Sequence, residues 1–236
     1  MISMRYVDEY IQNSVRKEHK LQAYDISEEI WNLLKALDKR NLVRKKLRGT
    51  AEEMRGEYVR IGKNSDRILA SFNKFFDMYM DKEKRKRFFE LAKEFGLTES
   101  DLSHLLHVQL IFMFLLNVEM FKNFWIFVLR DIKPTETLGN LFMTRRKLGR
   151  LIRQTKDTGE ALKVATRLDI DLRNSLAHFM FREDGRTIYY YEHKRKGNRW
   201  VLKEQKIDST TLFKKMIEHN LLRTIMGIMI ADWYGL

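Results

Sequence analysis

The sequence predicts a mainly α fold with one short β-hairpin close to its C-terminal end. Apolar residues recur at three- and four-residue spacing along most of the chain, the period of an amphipathic helix. Between residues 186 and 207 the period changes to two, as in a β-strand. Hydrophobic residues make up 44% of the 236 positions, enough to bury one substantial core.

The chain carries a large surplus of positive charge. Forty-five Lys and Arg residues against 32 Asp and Glu residues give a formal charge of +13. Such a surplus favours a polyanionic partner, nucleic acid first and an anionic membrane surface second. The chain has no cysteine, which excludes disulfides and thiolate zinc sites. The N-terminus lacks the apolar run of a signal peptide, so a cytoplasmic location is expected.

Amphipathic helices are predicted for the N-terminal part. One contains Ile26–Leu37 and a second contains Leu69–Tyr79, with apolar residues on one face of each. The basic run at 81–87 is either a solvated bend or the start of another helix. We place a boundary at residue 97, dividing an N-terminal helical region, 1–97, from a second domain, 98–236. The N-terminal region could sense an activator, bind a partner or extend a dimer interface.

A long apolar helix is predicted to follow Thr98. Thr98 and Asp101 have the spacing of a capping box, and the helix should end before Lys133-Pro134. Polar residues interrupt the apolar run at 105–129 and leave too short an uncharged stretch for a bilayer. We therefore expect a core helix and no membrane association.

The remaining elements are a short helix, a motif-bearing helix, a hairpin and a last helix. The short helix is predicted over 137–154, and the motif-bearing helix begins near Asp157 and runs to about Phe181. Residues 186–192 and 199–207 form the hairpin around the turn HKRKGN at 193–198. Asp208 or Ser209 caps the last helix. From residue 98 the order is thus three helices, a hairpin and a fourth helix.

The motif-bearing helix has a polar face that is either solvated or a site. A helical wheel at about 100° per residue divides the side chains into a set that faces the core and a polar set that faces away from it. Arg173 lies on the flank between the two sets. The core set is Leu168, Leu172, Ser175, Leu176 and Phe179, and the polar set is Arg167, Asp171, Asn174 and His178.

These residue types suit RNA cleavage through the ribose 2′-hydroxyl, which needs no metal. Histidine transfers protons near neutral pH, and arginine binds phosphate and stabilises its transition state. Arg173 lies about 140° from His178 around one helix. Two copies of the helix crossing at a dimer axis would bring both residue types into one cleft.

The string RNSLAH at 173–178 is similar to the Arg-x(4–6)-His motif of HEPN-domain ribonucleases, with Asn after Arg and Ala before His. The resemblance covers about residues 98–236. It implies a HEPN-like four-helix bundle and a homodimeric, metal-independent endoribonuclease that leaves 2′,3′-cyclic phosphate ends. It implies no cofactor, and such enzymes are often toxins or antiviral effectors with an antitoxin or regulatory partner. Arg173 and His178 would be catalytic, and Asn174, Glu119 and Asp171 supporting.

The chain also departs from the family pattern and repeats its spacing once. Phe179 stands where many relatives have a small residue, and Met180 where one subgroup has a modifiable tyrosine. Arg186 and His193 fit the loose motif spacing as well, but they lie on the predicted hairpin. We treat that second pair as a chance match.

RNA contacts are predicted on basic residues near the motif. Arg167 and the hairpin residues Lys194, Arg195, Lys196 and Arg199 are the candidates for phosphate binding, with Tyr189 and Trp200 available for base stacking. The same hairpin turn could instead be a solvated turn that protects a sheet edge. The basic run at 145–153 has the same two interpretations.

Two other functions remain open from the sequence. Residues 90–106 fit a helix-turn-helix, which would make a DNA-binding regulator. Gly96 would lie at the turn, and the packing positions would be those of Leu91, Phe95, Leu97, Leu102 and Leu105. Acidic residues at the start of the would-be recognition helix argue against this. The chain could also be a catalytically inactive HEPN-like interaction module, with His178 an ordinary surface histidine. No metal site is predicted, because His104 and His107 lack a partner set.

Overall fold

A computed structural model describes most of the chain in several stretches. Within them the protein is mainly α with one small sheet, which confirms the predicted class. The described residues are 4–39, 41, 43–44, 70–71, 74, 77–78, 81–129, 163–164, 166–196 and 199–235. The helices are α1 (Arg5–Ser14), α2 (Lys20–Asp38), α3 (Lys82–Glu94), α4 (Glu99–Val128), α5 (Ile170–Ala177) and α6 (Ser209–Tyr234), with a 3₁₀ turn at Lys17–His19. Residues 70–71, 74, 77–78, 163–164 and 166–167 are also helical.

Helices α4 and α6 form the centre of the core, and α1 and α2 pack against α6. Phe114, Phe121 and Trp125 of α4 are fully buried, and so are Leu222 and Ile225 of α6. Each large apolar side chain so buried contributes about 1.5–3 kcal/mol. The predicted core face of Ile26–Leu37 is confirmed, since its apolar residues join the same cluster. The boundary at residue 97 stays a prediction.

Helix α4 has the length and hydropathy of a membrane-crossing helix, but much of it is buried within the protein. In its most apolar window 61% of the residues are buried. A central helix that is covered by neighbours needs apolar residues on several faces, which explains why its sequence resembles a membrane span.

Helix starts follow the predicted caps. The Thr98 backbone N–H donates to Asp101 Oδ2 at 2.7 Å, and the Asp101 N–H donates back to Thr98 Oγ1 at 3.2 Å. Asp208 caps α6 by accepting from the Thr211 N–H at 2.9 Å. Asp81 accepts from two backbone N–H groups of α3, so the basic run at 81–87 begins a helix.

The motif-bearing helix is broken, which corrects the prediction of one helix from Asp157 to Phe181. Asp169 adopts a left-handed conformation (φ 44°, ψ 64°) and caps α5, which then runs only to Ala177. Aspartate tolerates this conformation better than most residues, and Lys215 holds its carboxylate at 2.6 Å. One helical wheel therefore cannot describe the residues on both sides of α5, although Leu168 is buried as predicted. Arg167 belongs to the segment before the break, and Phe179 (φ 55°) lies in a turn with 85% of its surface exposed.

The sheet is antiparallel in the order β1–β2–β3, with β1 at Phe181–Asp184, β2 at Thr187–Lys196 and β3 at Arg199–Asp208. The hairpin is confirmed, but its turn is shorter than predicted. Lys196 pairs with Arg199, so residues 193–196 belong to β2 and only 197–198 join the strands. The sequence did not predict β1, because residues 181–184 were assigned partly to the preceding helix.

Two predicted helices fall wholly or mostly outside the described residues. The short helix at 137–154, which contains the basic run at 145–153, lies wholly outside them. The helix at Leu69–Tyr79 lies mostly outside them, including all the apolar residues of its predicted core face. The start of the motif-bearing helix at Asp157 lies outside them as well.

Arg167 joins three parts of the fold. Its guanidinium binds Glu29 of α2 at 2.7 and 2.9 Å and Glu218 of α6 at 2.6 Å, and all three side chains are largely shielded from solvent. Hydrogen bonds to Glu29, which outweigh the effect of burial, raise the pKa of Arg167 further above its ordinary value. Arg167 is therefore neutralised internally.

Replacing Arg167 by methionine is expected to lower the free energy of unfolding by about 2–3 kcal/mol, because two shielded carboxylates would lose their shared cation. Urea unfolding followed by circular dichroism measures the change. Arg5→Met is the matched control, since it removes the same charge from an exposed pair with Glu9 and should cost less than about 1 kcal/mol. Equal losses in the two variants would contradict the structural role of Arg167.

Candidate active site

Arg173 is oriented by residues of two helices. One guanidinium nitrogen, Nη2, donates to Glu119 of α4, and Nη1 donates to Asn174 Oδ1 at 3.0 Å. Only 18% of the Arg173 side chain is exposed. Its Nε is buried and has no acceptor among the described residues. The guanidinium is thus fixed in position, and its Nε–H is a donor without an acceptor among the described residues.

Glu119 lies between two cations. Lys122, one turn further along α4, binds its second carboxylate oxygen, so Glu119 is shared with Arg173. Burial raises the pKa of Glu119, but the hydrogen bond from Lys122 and the charge of Arg173 outweigh burial and hold the pKa below its usual range. Glu119 therefore stays ionised at neutral pH, and the three charges leave a net positive site.

Lys122 was missed by the sequence analysis. Its signal was available, because a glutamate and a lysine three positions apart on a helix lie close enough to pair. The prediction that Glu119 lies near the motif rested on the resemblance alone.

Ser175 fixes α5 to the sheet. Its hydroxyl donates to the backbone carbonyl of Tyr191 and accepts from the Tyr191 N–H at 3.1 Å. Pairing between β1 and β2 ends at Tyr190, so the serine takes the place of a strand partner at the next residue. The predicted core side chains Leu168, Leu172, Ser175 and Leu176 are all buried, as expected.

His178 lies at the C-terminal end of α5 with its side chain exposed. Its backbone N–H bonds to Asn174 O at 3.0 Å, which continues the helical turn by one residue. Within the described part of the chain no hydrogen bond joins the His178 ring to Arg173, Asn174 or Glu119. The chain thus presents an oriented guanidinium and a separate, solvent-facing imidazole.

The other predicted site residues are distributed unevenly. Asp171 lies half-buried in the first turn of α5, where its negative charge interacts favourably with the helix dipole. Arg199 begins β3 and is exposed, while Lys194, Arg195 and Lys196 are paired residues of β2 whose side chains fall outside the description. Arg167 is already bound by Glu29 and Glu218.

The second Arg–His pair does not form a site within the chain. Arg186 lies in the turn between β1 and β2, and His193 lies seven residues further on, within β2. At about 3.3 Å per strand residue, the six steps from Thr187 to His193 alone extend over about 20 Å, which keeps the two side chains apart.

The helix-turn-helix packing is absent from the described residues. Leu91, Phe95, Leu97 and Leu105 were assigned to packing positions, yet each is exposed, and Phe95 is 81% exposed. Leu102 alone of these positions is buried. The segment is instead a corner between α3 and α4, with Gly96 in a left-handed conformation (φ 77°) at the bend.

A histidine cluster appears where the sequence showed no partners. His104 Nδ1 lies 2.8 Å from Glu183 Oε2, and the buried His107 hydrogen-bonds Ser209 and has its Nδ1 3.5 Å from the same oxygen. Glu183 comes from β1, the strand that the sequence did not predict. In the described part of the chain no three such side chains form a metal-binding group.

These observations define a mainly α protein with a three-stranded antiparallel sheet and a positively charged candidate site between α4 and α5. Comparisons with protein-family models, curated proteins and solved structures gave no match to this chain.

Proposed function

We propose that the protein is a metal-independent endoribonuclease of the HEPN type that leaves 2′,3′-cyclic phosphate ends. The proposal is carried by one observation: the RNSLAH segment places an oriented arginine and an exposed histidine on one short helix, next to a net positive cluster. The overall charge of +13 supports a polyanionic substrate.

Each side chain has a role in this reaction. The ribose 2′-oxygen attacks the adjacent phosphorus, the 2′-proton passes to a base, and the bond to the 5′-oxygen breaks as an acid protonates it. His178 performs one of these proton transfers. Arg173 binds the phosphate and stabilises the charge that develops on its oxygens. Asn174 and Glu119 hold the guanidinium in position, while Lys122 binds the second oxygen of Glu119 and adds positive charge.

The proposal includes a homodimer. Arg173 and His178 do not meet within one protomer, and a two-fold axis near α5 would combine the arginine of one copy with the histidine of the other. Helices α4, α5 and α6, with the helix expected at 137–154, would form the HEPN-like four-helix bundle. A cytoplasmic toxin or antiviral effector, controlled by an antitoxin or regulatory partner, is the corresponding biological role.

The ion pair between Arg173 and Glu119 favours a second candidate, a catalytically inactive interaction module. In that case the guanidinium would serve only to join α5 to α4, and the exposed His178 would be an ordinary surface residue.

Product analysis decides between the two. The purified protein is incubated with mixed-sequence RNA in excess EDTA, and the product ends are identified by mass spectrometry. The endoribonuclease proposal expects cleavage with 2′,3′-cyclic phosphate ends that is unaffected by EDTA. Intact RNA after incubation with the folded dimer would instead favour the interaction module.

A further inference from the structure

The β-sheet has an outer face that the proposed chemistry does not use. Residues paired across antiparallel strands share a face, and Ile188, Tyr190 and Ile207 turn inward to the core. Arg182 and Lys206 are each paired with Tyr189 of the central strand and therefore lie with it on the opposite, outer face, together with Tyr191 and Glu204. All five outer side chains are exposed or half-exposed.

Planar groups dominate this face. The Arg182 guanidinium lies over the Tyr189 ring, 3.8 Å from its centroid, and 52% of the Arg182 side chain remains exposed. Tyr191 is two residues further along β2, about 6.6 Å away, on the same face. The face thus presents a stacked arginine–tyrosine pair and, beside it, a second ring.

Glu204 orders this arrangement. It accepts a hydrogen bond from the Tyr191 hydroxyl at 3.2 Å and pairs with Arg182 at 3.4 Å. The planar groups are therefore held in place before any ligand arrives, which lowers the entropic cost of stacking. A carboxylate at this position repels phosphate, so the face suits bases better than the RNA backbone.

We propose that the outer face of the sheet, Arg182, Tyr189 and Tyr191, binds unpaired RNA bases by stacking. Aromatic rings and guanidinium planes are the groups on which proteins stack splayed bases, and stacking tolerates any sequence. Lys206 on the same face adds a positive charge for the neighbouring backbone. The proposal rests on the proposed function only in taking RNA as the ligand.

The face lies within reach of the candidate site. Arg182 lies four positions after His178, so their Cα atoms are at most about 14 Å apart. A single-stranded segment whose bases stack on the sheet would therefore hold its neighbouring nucleotides close to His178. The substrate class that follows is RNA with an unpaired stretch, rather than a continuous duplex.

Fluorescence anisotropy with a short labelled unpaired RNA tests the proposal, with His178→Ala as the parent protein so that no cleavage occurs. Tyr189→Leu and Tyr191→Leu are each expected to raise the Kd about tenfold. Tyr191→Phe, which keeps the ring and loses the hydroxyl, should stay within about twofold of the parent. Tyr6→Leu, at an exposed tyrosine of α1, is the matched control and should change nothing.

Duplex RNA of the same length is the second arm, and its Kd should be equal in all the variants, because paired bases do not stack on a protein face. Circular dichroism checks folding. If a leucine variant unfolds, Arg182→Gln, at an exposed side chain, replaces it with the same expected loss. Unchanged affinity for unpaired RNA, equal losses for duplex and unpaired RNA, or no RNA binding at all would overturn the proposal.

The two proposals fail separately in this design. If the wild type cleaves RNA and the leucine variants bind RNA normally, the stacking proposal is wrong and the endoribonuclease proposal stands. If the wild type does not cleave RNA but the leucine variants lose binding to single-stranded RNA, the endoribonuclease proposal is wrong and the stacking proposal stands.

Discussion

Replacing His178 or Arg173 by alanine is expected to lower the rate of RNA cleavage by a factor of about 100–10,000. Loss of a general acid or base costs about that much, and loss of a charged donor to the transition state costs about 100–1,000-fold. Initial rates with end-labelled RNA in EDTA measure the effect. Because His178 is exposed, its replacement should leave the thermal unfolding temperature unchanged.

The chance Arg–His pair supplies one of two matched controls. Arg186→Ala removes an exposed arginine of the same charge, and His19→Ala removes a histidine of the 3₁₀ turn near the N-terminus. Both variants should cleave at nearly the wild-type rate. If all four variants slowed cleavage equally, the loss would reflect general charge or folding, and the assignment of Arg173 and His178 would be wrong.

Mixed dimers test whether the site is shared between protomers. If one histidine acts as base and the other as acid, a heterodimer of wild type and His178→Ala should lose most of its activity. Two differently tagged chains, co-expressed and purified through both tags, provide the sample. A fully active heterodimer would exclude that division of roles.

A second large effect is expected on stability as the pH falls from about 6.5 to about 4. His219 of α6 is 1% exposed, and burial lowers its pKa to about 4. Its Nε2 donates to the backbone carbonyl of Arg167 at 2.8 Å, and its ring packs on Phe114, with centroids 4.5 Å apart. Of the charged groups facing it, Lys215 opposes protonation and Asp169 favours it.

The sign follows from the two pKa values. In the unfolded chain His219 binds a proton below a pH of about 6.5, whereas in the folded protein it does so only below about 4. The unfolded state therefore holds more protons in this window, and stability rises with pH. The contribution is complete above pH 6.5, and about 3 kcal/mol should be lost on acidification to pH 4.

Chemical denaturation across this pH range, compared between wild type and His219→Gln, isolates the effect. Glutamine can still donate to the Arg167 carbonyl but does not titrate, so its stability should depend less on pH. Parallel pH profiles for the two proteins would show that His219 is not the group responsible.

The local elements of this fold could be predicted from the sequence. Periodicity and caps are short-range properties, so α2, α4, α6, β2 and β3 were identified, and the starts of α4 and α6 were placed correctly. Three other bounds were missed: α2 begins earlier than predicted, α4 ends earlier, and β2 extends four residues further. The break at Asp169 could not be predicted from the sequence, because the left-handed conformation is stabilised by Lys215, a partner 46 positions away. Strand β1 was missed for a related reason, since four residues become a strand here through pairing with β2.

The candidate site also has features that the sequence predicts and features that only the tertiary structure determines. The sequence by itself determined the residue types, the RNSLAH spacing, the positive charge and the helical setting, because these are properties of neighbouring positions. Only the tertiary structure decided that Glu119 pairs with Arg173, that Arg167 is neutralised by Glu29 and Glu218, and that the planar groups of the sheet share an open face. Those outcomes depend on which distant side chains the core brings together, and pairing and burial then fix their charges and exposure.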